Sequence, residues 1–276
     1  MSSRGRFVWY ELITTDMPAA CAFYANVMGW ELRDASMPGT AYTLCATAQG
    51  TVCGVIALPA AGESKAAKPC WIGYVGVDDV EAAATRAIEL GGVVEVAPQT
   101  VPDVSRFAVI ADPQMVPLGI MKWLMPRPQP GAPGAVGEIG WHELMVSDAA
   151  NAFGFYHALF GWQNAGNETG PRGSYRLFSA GGETIGGMID EPSIAQVPLW
   201  LHYLNVGDID AAMKRVAAGG GRVLAGPTAV SNDKWVVQCF DPQGAVFALM
   251  GSRKPEPVGY FKRAEAGEAT SIRFGG

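Results

Sequence analysis

Histidine is scarce in this chain, with His142, His157 and His202 the only three in 276 residues. A metal centre built on imidazoles has few residues to draw on. Basic charge is also short, with 20 Lys and Arg against 26 Asp and Glu and a net charge of −6. A surface of that sign has no field to gather phosphates or anionic lipid, so neither nucleic acid nor a membrane is an expected partner. No apolar run approaches the roughly 18 residues of a spanning helix, and the opening MSSRGRFVWYEL lacks a signal core. The expected location is cytoplasmic. The five cysteines (Cys21, Cys45, Cys53, Cys70, Cys239) are odd in number and scattered, with no C-x-x-C pair, and read as buried free thiols. No G-x-G-x-x-G follows a strand, and neither a Walker loop nor a G-x-S-x-G elbow is present. The expected partner is a small molecule.

What the chain does have is repetition. WYELITTDMPAACAFYANVMGW (9–30) lies over WHELMVSDAANAFGFYHALFGW (141–162) at a shift of 132, with nine of 22 positions identical. At a shift of 129, PCWIGYVGVDDVEAAATRAIELGG (69–92) lies over PLWLHYLNVGDIDAAMKRVAAGGG (198–221), and ADPQ (111–114) over FDPQ (240–243). Self-similarity on this scale means a duplicated domain. The expected division is a first domain over 5–124, a Pro/Gly linker over 125–137, a second domain over 138–251 and a tail over 252–276.

Each copy is itself two-fold. Trp9 to Thr14 reads as a strand, and Asp16 as the N-cap of a helix with Ala20, Phe23, Tyr24, Val27 and Met28 along one face. Ala152, Phe155, Tyr156, Leu159 and Phe160 repeat that stripe. AYTLCATA and TVCGVIALP then read as a hairpin turning at Gln49-Gly50. The unit restarts with a strand over Trp71 to Val77 and a helix capped by Asp79, with Val80, Ala83, Ala84, Ala87 and Ile88 on one face and Gly91-Gly92 at its end. The fold class is α+β, with β-α-β-β-β units occurring four times.

This order, the F-Y-x-x-x-x-G-W helix ends (Phe23, Tyr24, Gly29, Trp30; Phe155, Tyr156, Gly161, Trp162) and the DPQ turns resemble the vicinal oxygen chelate superfamily. That superfamily includes glyoxalase I, bleomycin-resistance proteins and extradiol dioxygenases. The resemblance implies two tandem domains, each a curled mixed sheet forming a cleft, with helices outside. It also implies a metal position on the first strands and last strand of each domain. Those positions are Trp9, Ile72 and Gly119 in one domain and Trp141, Leu201 and Ala248 in the other, none of them a ligand. A further position falls near Ala57 or Asp190. A catalytic metal normally takes three protein ligands, so no metal cofactor is expected at the usual place.

Alternation along GWHELMVSD (140–148) separates its two ligand-type residues. His142 shares a face with Leu144 and Val146, directed at the helices, while Trp141 and Glu143 share the cleft side. Trp9 and Glu11 repeat that pattern, with Tyr10 in place of His142. A carboxylate on such a wall suits proton transfer or a grip on a polar ligand group. Equally, Glu11 and Glu143 can bond to backbone, or to a basic or tyrosine group at the domain seam. Trp9, Trp141, Trp71 and Trp200 either fill the core or stack on a ligand. Tyr42 and Tyr175, which match across the domains, either line the clefts or fill the barrel. His142 and His202 are the alternative metal pair, needing a β-bulge to turn inward; His157 reads as a surface residue.

The functional expectation is a glyoxalase- or bleomycin-resistance-like protein. It would bind a small aromatic or amphipathic molecule against Trp9, Trp141, Tyr42 and Tyr175. The alternative is a lyase, isomerase or dioxygenase using Glu143 or Glu11, or an unconventional metal site. Fusion of two domains allows a monomer with pseudo-two-fold symmetry, and a homo-oligomer is the other arrangement.

Overall fold

In the computed structural model the described residues are 4–58, 68–125, 134–170, 173–190, 197–230 and 233–253. Most of the linker, and the tail beyond residue 253, lie outside them. The first half runs β1 (Phe7–Thr14), α1 (Met17–Met28), β2 (Glu31–Asp34), β3 (Tyr42–Thr47), β4 (Gly50–Ala57), β5 (Cys70–Gly76), α2 (Val80–Glu89), β6 (Val93–Val101), β7 (Ser105–Ala111) and β8 (Pro117–Trp123). The second half repeats it as β9 (Ile139–Val146), α3 (Ala149–Phe160), β10 (Gln163–Gly170), β11 (Gly173–Ala180), β12 (Glu183–Asp190), β13 (Leu199–Asp208), α4 (Ile209–Ala218), β14 (Arg222–Ala229), β15 (Lys234–Phe240) and β16 (Val246–Ser252).

Each half is one eight-stranded mixed sheet, ordered β2-β3-β4-β1-β5-β8-β7-β6 and β10-β11-β12-β9-β13-β16-β15-β14. At each centre the first strands of the two units run antiparallel, Glu11 opposite Ile72 and Glu143 opposite Leu201. Each first strand also pairs in parallel with the last strand of its own unit.

The helices form where the stripes and caps fall. Asp16 accepts from the Ala19 N–H at 3.0 Å and Asp148 from the Asn151 N–H at 2.9 Å, satisfying donors the helix leaves open. Gly29 and Gly161 stop α1 and α3 at φ +75° and +76°, a conformation that costs glycine nothing. On α2 the expected stripe is narrower than read, because Ile88 is 57% exposed. Val80, Ala84 and Ala87 alone are buried on this helix.

The helices lie on the outer face of each curled sheet, and there the two halves meet. One core joins α1 and its sheet to Ile209, Val216, Phe247 and Leu249 of the second half. The other joins α2 and Ile110 to Phe155, Tyr156 and Trp162. The residues that mark the repeat in the sequence are the ones that cross this seam. Tyr24 Oη donates to Asp241 at 3.2 Å and Tyr156 Oη to Asp112 at 3.0 Å. Trp71 and Trp200 Nε1 donate in turn to Tyr24 and Tyr156. Trp30 reaches the Gly137 carbonyl at 2.7 Å and Trp162 that of Gly5 at 2.6 Å. Each Asp also ties its own DPQ turn, Asp112 accepting from Gln114 and Val116, and Asp241 from Gln243 and Ala245. A buried carboxylate loses hydration, which pushes both acids up from the usual range. The peptide and tyrosine donors offset part of that cost.

Candidate functional site

The inner face of the first curled sheet encloses a cavity of about 260 Å³. Its walls are aromatic and aliphatic: Trp9, Tyr42, Tyr74, Phe107 and Trp123, with Met37, Met121 and Leu44 among the rest. Strand alternation sets this division. Trp9 and Glu11 point into the curl while Leu12, fully buried, packs on the helices.

Among the described residues Glu11 is the one charged side chain lining the cavity. Tyr42 Oη donates to its Oε1 at 2.7 Å and Tyr74 Oη to its Oε2 at 2.6 Å. Trp9 Nε1 donates to Tyr42 Oη at 3.1 Å, completing a chain of four side chains. Burial first, and the adjoining Glu11 charge second, push both tyrosine hydroxyls well above their ordinary range, so they keep their protons. Trp123 stands edge-to-face with Trp9, ring centres 5.7 Å apart, and its buried Nε1 has no hydrogen-bond partner among the described residues.

Two glycines make room for the tyrosines. A Cβ on Gly54 would stand 2.0 Å from Tyr42 Oη, and one on Gly119 would stand 2.1 Å from the Tyr74 ring. A side chain at either position would force its tyrosine or the backbone beside it to shift.

The second half repeats the parts. Trp141 Nε1 donates to Tyr175 Oη at 2.9 Å, Gly187 lies under the Tyr175 ring, and Tyr203 stands opposite Trp141 as Tyr74 does opposite Trp9. Glu143 is buried on the same strand face. Ala248 takes the place of Gly119 beside Tyr203.

The sequence brings Trp9, Glu11 and Tyr42 to one site, with Trp141, Glu143 and Tyr175 matching them. Trp71 and Trp200 are elsewhere, in the helix-side cores. Glu11 has tyrosine partners, one of the expected alternatives, but they lie within the cleft and not at the seam. His142 and His202 face the seam, ring centres 5.7 Å apart. His142 Nδ1–H donates to the Ile185 carbonyl at 2.7 Å and its Nε2 accepts from Tyr10. With both nitrogens engaged, His142 has no lone pair to give a metal. His157 is exposed, bonded to the Trp162 carbonyl. Tyr74 and Tyr203 were not singled out from sequence, although they match in the repeat and share a strand face with Ile72 and Leu201.

The cleft does not suit a divalent ion at the position the resemblance implies. Gly119 has no side chain, the Tyr74 ring fills the space above it, and both oxygens of the cleft's carboxylate already accept a tyrosine hydrogen bond. Ala57 lies at the exposed end of β4 beside Thr14, and Asp190 accepts from the Ala149 N–H at the start of α3. Among the described residues no three His, Cys, Asp or Glu side chains converge in a metal-binding group.

The model of the Glyoxalase/Bleomycin resistance protein/Dioxygenase superfamily matches residues 6–120 and again 138–249. The chain belongs to this superfamily. Within it, the chain is 32% identical over 253 residues to the Mycobacterium tuberculosis protein named "Putative glyoxylase CFP32", covering 90% of this chain and 94% of that one. It is 27% identical over 268 residues to the anthracycline biosynthesis protein DnrV of Streptomyces peucetius, with 92% and 96% covered. Among solved superfamily structures, the 2,2',3-trihydroxybiphenyl 1,2-dioxygenase of Sphingomonas wittichii aligns at a TM-score of 0.64 with 13% identity, over 90% of this chain and 91% of that one. The Mn(II)-bound glyoxalase of Novosphingobium aromaticivorans aligns at 0.62 with 13% identity, over 92% and 84%. Likeness at that identity is a likeness of fold.

Proposed function

We propose that the first-half cleft binds a small aromatic or amphipathic molecule between its tryptophan and tyrosine walls, without a metal at the usual superfamily position. The observation that carries this reading is the cavity itself: about 260 Å³, ringed by five aromatic side chains, with one carboxylate in its wall. Its volume is close to the lower end of ligand pockets, about 300–1,000 Å³, which suits a molecule of a few fused rings. Flat apolar walls bury such a body, and a few polar groups orient it. The name of the DnrV relative, an anthracycline biosynthesis protein, agrees with an aromatic ligand.

A second reading has Glu11 moving a proton in a lyase or isomerase reaction. It draws on the hydrogen-bonded Tyr42–Glu11–Tyr74 row and on the glyoxylase name of the mycobacterial relative. A carboxylate flanked by hydroxyl donors can take a proton from carbon next to a carbonyl and hand it back.

Titrating the protein with 9-(hydroxymethyl)anthracene while following tryptophan fluorescence tests the first reading. Saturable quenching, weakened about tenfold or more in Trp9→Ala, is the expected result; no saturation in the intact protein overturns it. Elemental analysis of the same sample, with thermal shifts under added Ni, Zn, Fe and Mn, tests the metal-free part. Stoichiometric metal that raises the melting temperature overturns that part. Turnover of a methylglyoxal hemithioacetal, abolished in Glu11→Gln, selects the second reading.

A further inference from the structure

We infer that the first-half cleft selects ligands carrying a positively charged amine, with Glu11 and the aromatic walls as the recognition elements. This rests on the reading of the cleft as an aromatic ligand site and adds the charge of the ligand. Three features converge on it.

The first is the direction of the protons. Tyr42 and Tyr74 both spend their single hydroxyl proton on Glu11. What Glu11 and Tyr74 then offer a ligand is lone pairs, the remaining acceptor sites of two carboxylate oxygens and of one phenol oxygen. Tyr42 already accepts from Trp9 Nε1. A ligand group meeting this cluster has to be a donor, and an ammonium brings up to three.

The second is charge. Among the described residues the lining holds one acid and no Lys, Arg or His. In a cavity walled by apolar groups a charge is weakly screened, so an anionic ligand is repelled by Glu11 and a cationic one attracted. The unpartnered Trp123 N–H can donate to an acceptor on the ligand body. A single neutral donor does not offset a like charge.

The third is the nature of the walls. Trp9, Tyr42, Tyr74, Phe107 and Trp123 enclose the space beside Glu11. Aromatic faces attract a cation through their quadrupole, and a ring of them with a nearby carboxylate is the arrangement that recognises ammonium groups. Gly54 and Gly119 belong to the same device, since a Cβ at either would collide with the tyrosine as it stands on Glu11.

The test uses three probes of one aromatic body on the full chain, followed by tryptophan fluorescence: 9-(aminomethyl)anthracene, 9-(hydroxymethyl)anthracene and anthracene-9-carboxylate. The expected order is ammonium, alcohol, carboxylate, with about tenfold between the first two. In Glu11→Gln, checked for an unchanged circular dichroism spectrum, the advantage of the ammonium over the alcohol and the carboxylate collapses. Equal affinity for all three probes, or a preference for the carboxylate, overturns the charge inference and leaves the aromatic-site reading standing. Binding of none of them overturns the aromatic-site reading itself, and the inference with it. If Glu11→Gln does not fold, the order of the three probes on the intact chain still decides.

Discussion

Tyr10 Oη lies 2.6 Å from Nε2 of His142, and the two residues are equivalents under the repeat, 132 positions apart. Equivalent residues that touch mark a pseudo-two-fold axis, and this one passes through the seam between the halves. A second equivalent pair touches nearby, since a Cβ on Gly73 would stand 2.7 Å from the ring of His202. The Ile185 carbonyl takes the Nδ1–H of His142, which leaves Nε2 as the acceptor of the Tyr10 proton. Duplication has let one position diverge into a donor and an acceptor that need each other.

Tyr10→Phe removes the donor and leaves a buried imidazole nitrogen unpaired. The expected cost is about 1–3 kcal/mol, read as a lower urea midpoint at unchanged slope. A double variant with His142→Phe should lose less than the sum of the two single changes. Full additivity would mean that the bond contributes nothing to holding the halves together.

Stability should fall as the solution is acidified below pH 6.5. Burial pushes His142 down to about 4 and His202, facing His142, well below its ordinary value. A histidine whose folded value is depressed is neutral when folded and protonated when unfolded, so the unfolded state binds more protons between about 6.5 and 4. For His142 alone the loss between pH 7 and pH 5 is about 2 kcal/mol, and His202 adds to it in the same direction. Among the described residues the titratable groups facing the pair are each other and Tyr10. Asp112 and Asp241, pushed up by burial, act the opposite way but only nearer the carboxylate range. Urea unfolding at several pH values between 5 and 7.5 measures the slope. His202→Met should flatten it without loss at pH 7.5, because neither ring nitrogen of His202 has a hydrogen-bond partner among the described residues. An equally steep slope in that variant would rule out His202 as a contributor.

Gly119→Ala should cost about 1–3 kcal/mol by overpacking, toward the lower figure because Ala248 sits beside Tyr203 in the second half. Its larger effect should be on the cleft, where Tyr74 is displaced from Glu11 and the ammonium preference weakens. Thermal unfolding and the amine titration measure the two effects separately. A variant that keeps full stability and full amine affinity would show that the Tyr74–Glu11 bond is dispensable.

The residues differ in how far their roles could be read beforehand. Duplication, the helix stripes, the Asp caps and the facing of Trp9 and Glu11 follow from local periodicity, which is a property of the chain alone. Tyr74 carries a signal, a match to Tyr203 on the strand face of Ile72, but Ile72 is the residue at a ligand position of the superfamily. Phe107 and Trp123 had no comparable signal, since they reach the cleft from strands distant in sequence.

By itself, then, the amino-acid order determined two copies of a β-α-β-β-β pair and the side of each strand that turns inward. Backbone geometry ties facing to position along the chain, so no partner need be known. Only the tertiary structure decided that Tyr42 and Tyr74 share one carboxylate, that Trp71 and Trp200 brace tyrosines at the seam, and that Tyr10 meets His142. Those pairings depend on how far each sheet curls and how closely the two halves approach. Both are set by the packing of residues tens or hundreds of positions apart, among them glycines whose role is to leave space.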